Sequence, residues 1–364
     1  MNRLVLIGNG FDLAHGLKTS YEDFINWYWA QWGYLLRGKA KRFEEDELCS
    51  FSLNDIGLGG WYLVWSHYYQ KPNPFNWDLN EVAKLAREDR KLCEFKYKSP
   101  FFEQINKSFE NKQWVDIENE YYDLLVKAKT FGDQYLTLNK QLDSIRDKLI
   151  EYLCKVSKEH PQTIEGIKEK IYSPIKRREI QTSSTYIRND ELVVRNTLLL
   201  NFNYTNTPEM YRKYDTDIND IHGCLDNPSS VIFGYGDEMD KNHKRFKEQK
   251  DGECLRHMKT IRYLDTDNYR RVLEFIQSGL FQVSIMGHSC GNSDRTLLNT
   301  IFEHPNCISV KPYYHQKSDG TDNYNELVQN IYRNFSDMRL MRDRVVCKMY
   351  CEPLTVVKPG VNVY

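Results

Sequence analysis

Four apolar residues in a row, Leu4-Val5-Leu6-Ile7, stand near the start of the chain, and Gly8-Asn9-Gly10 stops the run. An unbroken apolar run fits a strand covered on both faces, as in a parallel sheet; a strand with one wet face would alternate. Thr19 and Glu22 follow, three apart as in a capping box. Phe24, Trp27 and Tyr28 then return at helical spacing. The segment reads strand, glycine turn, helix. From about 35 to 190 the pattern changes. Apolar positions recur near every third or fourth residue among Lys, Glu, Tyr and Trp, with few strand-like runs. Helices are expected near 114–125 and 138–153, a loop at Pro72-Asn73-Pro74, and an exit at Ser173-Pro174-Ile175-Lys176-Arg177-Arg178. Strand-like pieces resume at 193–202, 219–222, 231–234, 281–286 and 307–310. Helical candidates lie between and after them at about 207–214, 267–278, 294–302 and 323–335. Alternation of this kind predicts an α/β fold with a parallel sheet. The first strand is far in sequence from the others. The expected organisation is therefore one nucleotide-type domain from 1–34 and 191–364, with 35–190 as a large helical insertion. No internal repeat or low-complexity segment stands out.

Composition narrows the function classes. The chain has 364 residues, 40% of them hydrophobic, enough for a real core. Lys+Arg is 50 and Asp+Glu is 51, so duplex nucleic acid has no bulk positive charge to hold it. Mean hydropathy is −0.67, and no run approaches the roughly 18–20 apolar residues of a membrane span. The first apolar run is too short for a secretion signal. The nine cysteines are an odd number with no Cys-x-x-Cys pair. That argues against a closed zinc site and a disulfide framework, so no metal is expected and free thiols in a reducing cytoplasm are.

Four places carry candidate chemistry. Gly8-Asn9-Gly10-Phe11-Asp12 follows the first strand, where glycines let a backbone approach a ligand and helix amides favour phosphate. The strict G-x-G-x-x-G pattern is not met, because Leu13 stands at the third glycine. A plain glycine turn is the alternative. Asn201-Phe202-Asn203-Tyr204-Thr205-Asn206 crowds amides at the carboxyl end of a strand, where α/β sheets bind ligands. Asn203 is a candidate to hold ribose hydroxyls or a water; Asn206 is expected to cap the next helix. Ile221-His222-Gly223 offers a general base at another strand end. Gly287-His288-Ser289-Cys290-Gly291 matches G-x-S-x-G, the nucleophile elbow, and alternatively a second loop approaching the same nucleotide. The hydrolase reading lacks a good acid: Asp294 with His304 or His315 keeps the order but sits on the elbow's own helix. Lys241, Lys244, Arg245, Lys247, Lys250, Arg256, Lys259 and Arg262 form a basic stretch, expected as a solvated face, with phosphate contact as the sharper alternative.

These motifs together resemble a known family. The run from Leu6 through Gly8-Asn9-Gly10-Phe11-Asp12-Leu13-Ala14-His15-Gly16 to Phe24 resembles the N-terminus of the AbiH family of bacterial phage abortive-infection proteins. Asn201 to Thr205, His222-Gly223, Gly234-Tyr235-Gly236 and Gly287-His288-Ser289 follow in the family's order. More remotely, the order is similar to the sirtuin-like, Rossmann-type fold of NAD-binding proteins. Thr205 stands where that fold usually has an acid, and the zinc-ribbon cysteines of protein deacylases are missing. The resemblance thus implies hydrolysis of NAD at the nicotinamide–ribose bond. It assigns Asn203 to the ribose and attacking water, His222 to proton removal, and Asp12 to the carboxamide or the developing positive charge. Gly8, Asn9, Gly10 and Phe11 are assigned to the phosphates, with His15, Gly287 and Ser289 lining the same dinucleotide. It also implies a homo-oligomer. The alternatives are a nucleotide sensor without turnover, favoured by Thr205, and a serine hydrolase using Ser289.

Overall fold

The apolar run at 4–7 lies at the middle of a five-stranded sheet. A computed structural model describes residues 1–38, 43–54, 78–90, 93–107, 114–128, 133–159, 161–180 and 190–355. The strands are β1 (Asn2–Ile7), β2 (Thr197–Asn201), β3 (Thr216–Asp220), β4 (Phe281–Met286) and β5 (Cys307–Tyr313). Their spatial order is β5-β4-β1-β2-β3, and every pairing is parallel. Leu4 lies opposite both Leu198 and Val283 in register.

Both faces of this sheet are covered, which explains the unbroken apolar runs. On one face Leu4, Leu6, Leu198, Leu200, Val283 and Ile285 are buried in one apolar cluster with residues of helices Asn268–Gln277, Arg295–Phe302 and Tyr324–Arg333. On the other, Val5, Ile7 and Leu199 pack with Phe11 of α1 (Asn9–Ala14) and with Ile167 and Ile171 of α2 (Glu165–Tyr172). Each such buried side chain contributes roughly 1.5–3 kcal/mol of transfer free energy.

The chain divides into two compact units, Met1–Thr19 with Leu153–Tyr364, and Ser20–Tyr152. The sequence reading set the insertion at 35–190, and packing explains the difference. Helix Tyr21–Gly38 packs along helix Leu79–Glu88 within the second unit, whereas α2 packs under the parallel sheet. The second unit also contains a three-stranded antiparallel sheet, Phe43–Glu45, Cys49–Leu53 and Cys93–Tyr97. Trp29, Trp32, Phe51, Phe95 and Phe102 make an aromatic core there.

Other elements follow the sequence reading with shifts. The capping box of the first long helix is made by Ser20 and Asp23, not Thr19 and Glu22: Asp23 N–H donates to Ser20 Oγ at 3.0 Å and Ser20 N–H to Asp23 Oδ2 at 3.1 Å. Helices Trp114–Lys127 and Gln134–Val156 lie where expected. Residues 231–233 are buried but join no strand ladder. The loop at Pro72-Asn73-Pro74 lies outside the described residues. No helix among the described residues is long and apolar enough to cross a membrane, and all nine cysteines are free.

Candidate functional site

Because all five strands are parallel, the loops leaving their carboxyl ends share one edge of the sheet. The order turns back at β1, with β2 and β3 on one side and β4 and β5 on the other. In open α/β sheets that switch point is where a ligand crevice forms. Here it lies between the ends of β1 and β4, and the two glycine loops meet there.

The loops interlock backbone to backbone. Gly287 has φ +77, and a Cβ on it would lie 2.1 Å from Phe11 N. A Cβ on Gly8 would lie 2.5 Å from His288 Cα. Gly8 N–H donates to Met286 O at 3.3 Å, Gly10 N–H to Gly287 O at 2.9 Å, and Phe11 N–H to Gly8 O at 2.8 Å. Of the four amides expected to cradle phosphate, Asn9 alone has no carbonyl acceptor among the described residues. The glycines at 8 and 10 thus make room for another part of the chain.

Asn201 organises the amide cluster. Its Oδ1 accepts Asn203 N–H at 3.1 Å, while its Nδ2 donates to Thr205 O at 2.9 Å and Asp220 Oδ1 at 2.8 Å. Asn203 Nδ2 donates to Gly8 O at 3.1 Å. Asn206 occupies the position before the turn Thr207–Tyr211, but its side chain makes no capping bond. Thr205 Oγ1 donates to Asp12 Oδ2 at 2.6 Å, and Asp12 Oδ1 is buried with no hydrogen-bond partner among the described residues. Burial pushes the Asp12 carboxyl up to about 6 against the pull of Thr205, Thr207 and Asn203. A carboxyl group therefore lies against Thr205 after all, supplied from beyond the end of β1.

His222 leaves the end of β3 and stands edge-on to Phe202, centroids 5.2 Å apart. His288 packs on the same Phe202 at 4.1 Å. Both rings turn toward Asp294. His222 Nε2 lies 3.1 Å from Asp294 Oδ1 and 3.2 Å from Tyr263 OH, and His288 Nε2 lies 3.7 Å from Asp294 Oδ2. Lys259 Nζ donates to Asp294 Oδ1 at 2.9 Å and to Ser293 Oγ at 3.4 Å. The glycine turn, Asn203, Asp12, His222 and His288 thus form one contiguous set.

Lys259 is the member of the basic stretch that goes inside, with 1% of its surface exposed, while the Lys244 side chain is 84% exposed. Gly234-Tyr235-Gly236 brings it in. Tyr235 N–H donates to His257 O at 3.1 Å and Lys259 N–H to Tyr235 O at 2.9 Å. A Cβ on Gly234 would lie 2.0 Å from His257 O. Burial pushes the Asp294 carboxyl up, but the Lys259 ammonium, then His222 and His288, outweigh it, and the net direction is well down. Burial, against the opposing pull of Asp294, lowers His288 to about 4.

Sequence reasoning missed Asp294, Lys259, Tyr263 and His288 as a cluster. It weighed Asp294 only as an acid for Ser289; the histidines it meets are His222 and His288. Among the described residues, no histidine is hydrogen-bonded to Ser289 Oγ. The strained backbone is at Cys290 (φ +55), not at Ser289, and burial pushes the Cys290 thiol well up. His15 spends both ring nitrogens on the protein, with Nδ1 2.7 Å from Phe11 O and Nε2 2.7 Å from Tyr211 OH. Among the described residues, no group of three or more His, Cys, Asp or Glu side chains could hold a metal ion.

A family model described as Bacteriophage abortive infection AbiH matches residues 4–315. No curated protein and no solved structure gives a significant match.

Proposed function

This chain belongs to the AbiH family of bacteriophage abortive-infection proteins, and from that premise we propose that it binds NAD at the carboxyl edge of the parallel sheet and hydrolyses the nicotinamide–ribose bond. The observation that carries the reading is convergence. Three segments, the first about two hundred residues of chain from the other two, bring Gly8, Asn203 and His222 to one edge, joined through Phe202 and His288. Amide and imidazole groups at strand ends suit a ribose and a water, and the fold's switch point suits a dinucleotide.

The reaction asks little of the protein. The bond from ribose C1′ to the nicotinamide nitrogen breaks through an oxocarbenium-like state. Nicotinamide departs neutral with the bonding electron pair. Water bonds to C1′ and gives its proton to His222, which releases it to solvent, so the products are nicotinamide, ADP-ribose and a proton. Asn203 holds the ribose and the water, and Asp12 supplies the negative charge that faces the cationic state. The pyrophosphate is held at Gly8, Asn9, Gly10 and Phe11. Asn9 offers the amide with no carbonyl acceptor among the described residues; use of the Gly8, Gly10 or Phe11 amide requires the Met286, Gly287 or Gly8 carbonyl that now accepts from it to give way.

The test is nicotinamide release from NAD by the purified protein. A general base contributes on the order of 10²–10⁴ in rate, so a His222→Ala, Asn203→Ala double variant is expected to lose at least that factor. Equal release by wild type and variant overturns the mechanism. NAD that raises thermal stability with no nicotinamide released instead supports a sensor that binds without turnover.

A further inference from the structure

The buried Lys259–Asp294 pair lies outside the mechanism just given, yet its carboxylate touches the histidine on which that mechanism turns. We infer that Asp294 and Lys259 are positioning residues that hold the His222 ring with its hydrogen on Nε2, so that Nδ1 is the nitrogen that takes the proton. This rests on the reading of His222 as proton acceptor and deepens it.

The geometry is specific. An ionised carboxylate has lone pairs and no hydrogen to give. Asp294 Oδ1 lies 3.1 Å from His222 Nε2, so a favourable contact requires the hydrogen on Nε2. Lys259, at 2.9 Å from the same oxygen, keeps Asp294 ionised. Tyr263 OH, 3.2 Å from Nε2, could favour the other tautomer by donating to that nitrogen. A neutral hydrogen bond is about half as strong as a charge-assisted one, and the other tautomer would set a carboxylate oxygen against a ring lone pair. The carboxylate therefore decides. His288 reaches the same state independently: its Nδ1 accepts Cys290 N–H at 3.0 Å, leaving the hydrogen on the Nε2 that faces Asp294. His222 Nδ1 has no hydrogen-bond partner among the described residues, and the side chain keeps 6% of its surface exposed.

The experiment is two-bond proton–nitrogen NMR of the full chain carrying nitrogen-labelled histidine, with a His222→Gln variant to assign the signal. The expected wild-type spectrum has His222 and His288 both protonated on Nε2 alone. Replacing both charged partners together, as Lys259→Met with Asp294→Leu, avoids leaving one buried charge unpaired. In that variant the His222 signal is expected to move to a mixture of tautomers. His288 is expected to stay unchanged, because the Cys290 amide still holds it, and so reports an intact fold. Turnover, where present, is expected to fall about 10–100-fold in kcat with little change in KM. A wild-type His222 with its hydrogen on Nδ1 overturns the inference, and so does a double variant with the His288 signal intact and the His222 signal unmoved. The spectra need no NAD. An Nε2-protonated His222 in a protein that releases no nicotinamide supports the positioning and counts against the hydrolysis.

Discussion

Asp12 and His288 give the fold opposite responses to acid. The Asp12 carboxyl is raised from 3.8 to about 6 by burial. Between those values the folded chain holds a proton that the unfolded chain has released, so stability falls as pH rises through this window and the loss is complete above 6. A shift of that size corresponds to about 3 kcal/mol. Asp12→Asn is therefore expected to stabilise the protein by on the order of 3 kcal/mol at pH 8. By urea denaturation the advantage should be roughly halved at pH 5 and absent below the unfolded value. An advantage of equal size at both pH values would show that Asp12 is not held in a raised state. His288 is lowered from 6.5 to about 4, so the unfolded chain takes up a proton first as pH falls, and stability is lost between those values. The two slopes oppose each other in the wild type, and the variant should show the steeper acid loss. None of this was legible in the sequence: Asp12 was a candidate by position, but its partner Thr205 comes from the loop after β2.

The glycine turn after β1 was legible as a turn, and what it accommodates was not. Gly8 and Gly10 read as room for a phosphate; in the fold the side of each glycine where a Cβ would stand is filled by the backbone of Gly287 and His288. Gly287→Ala is expected to cost more than about 4 kcal/mol or to prevent folding, because its Cβ would strike the Phe11 nitrogen at 2.1 Å. Gly16 has a similar φ of +81 with nothing within 4 Å of an added Cβ. Gly16→Ala should cost only the roughly 1–2 kcal/mol of a left-handed non-glycine residue. Equal denaturation midpoints for the two variants would refute the interlocked loops. Among the other elements, strands covered on both faces were readable as unbroken apolar runs. The antiparallel sheet of the second unit was not read, although Cys49-Ser50-Phe51-Ser52-Leu53 does alternate between apolar and polar residues; strands of three to five residues among long helices carry too few periods to stand out.

The first strand is held to the rest of its unit by a residue that the apolar run gave no reason to notice. Arg3 is 1% exposed. Its NH1 donates to Lys170 O, Ile171 O and Ser173 O at 3.2, 2.7 and 2.8 Å, and its NH2 to Gln282 Oε1 at 3.4 Å. The guanidinium thus caps the carbonyl end of α2, where a positive charge also meets the helix dipole. Nearby, Lys311 Nζ and Gln282 Nε2 both donate to Glu179, at 2.8 and 3.0 Å. Arg3→Met is expected to lose about 3–5 kcal/mol by stranding these buried acceptors. Arg3→Lys should lose less, but not nothing, because an ammonium cannot reproduce the fork. Chemical denaturation of the two variants measures the order, and a lysine variant as weak as the methionine one would mean that the charge itself contributes nothing.

Local periodicity sufficed for the α/β class, the covered strands, the principal helices and the strand-end positions of Asn203, His222 and Gly287, since each depends on residues within a few positions of one another. The limits of the two units, the burial of Lys259 and the meeting of His222 with Asp294 depend on which remote segments pack together. Burying an ammonium is unfavourable until a carboxylate is set beside it, and here that carboxylate lies 35 residues further along the chain. No spacing rule along the chain encodes that contact; the fold creates it by running five strands the same way and drawing their following loops to one edge.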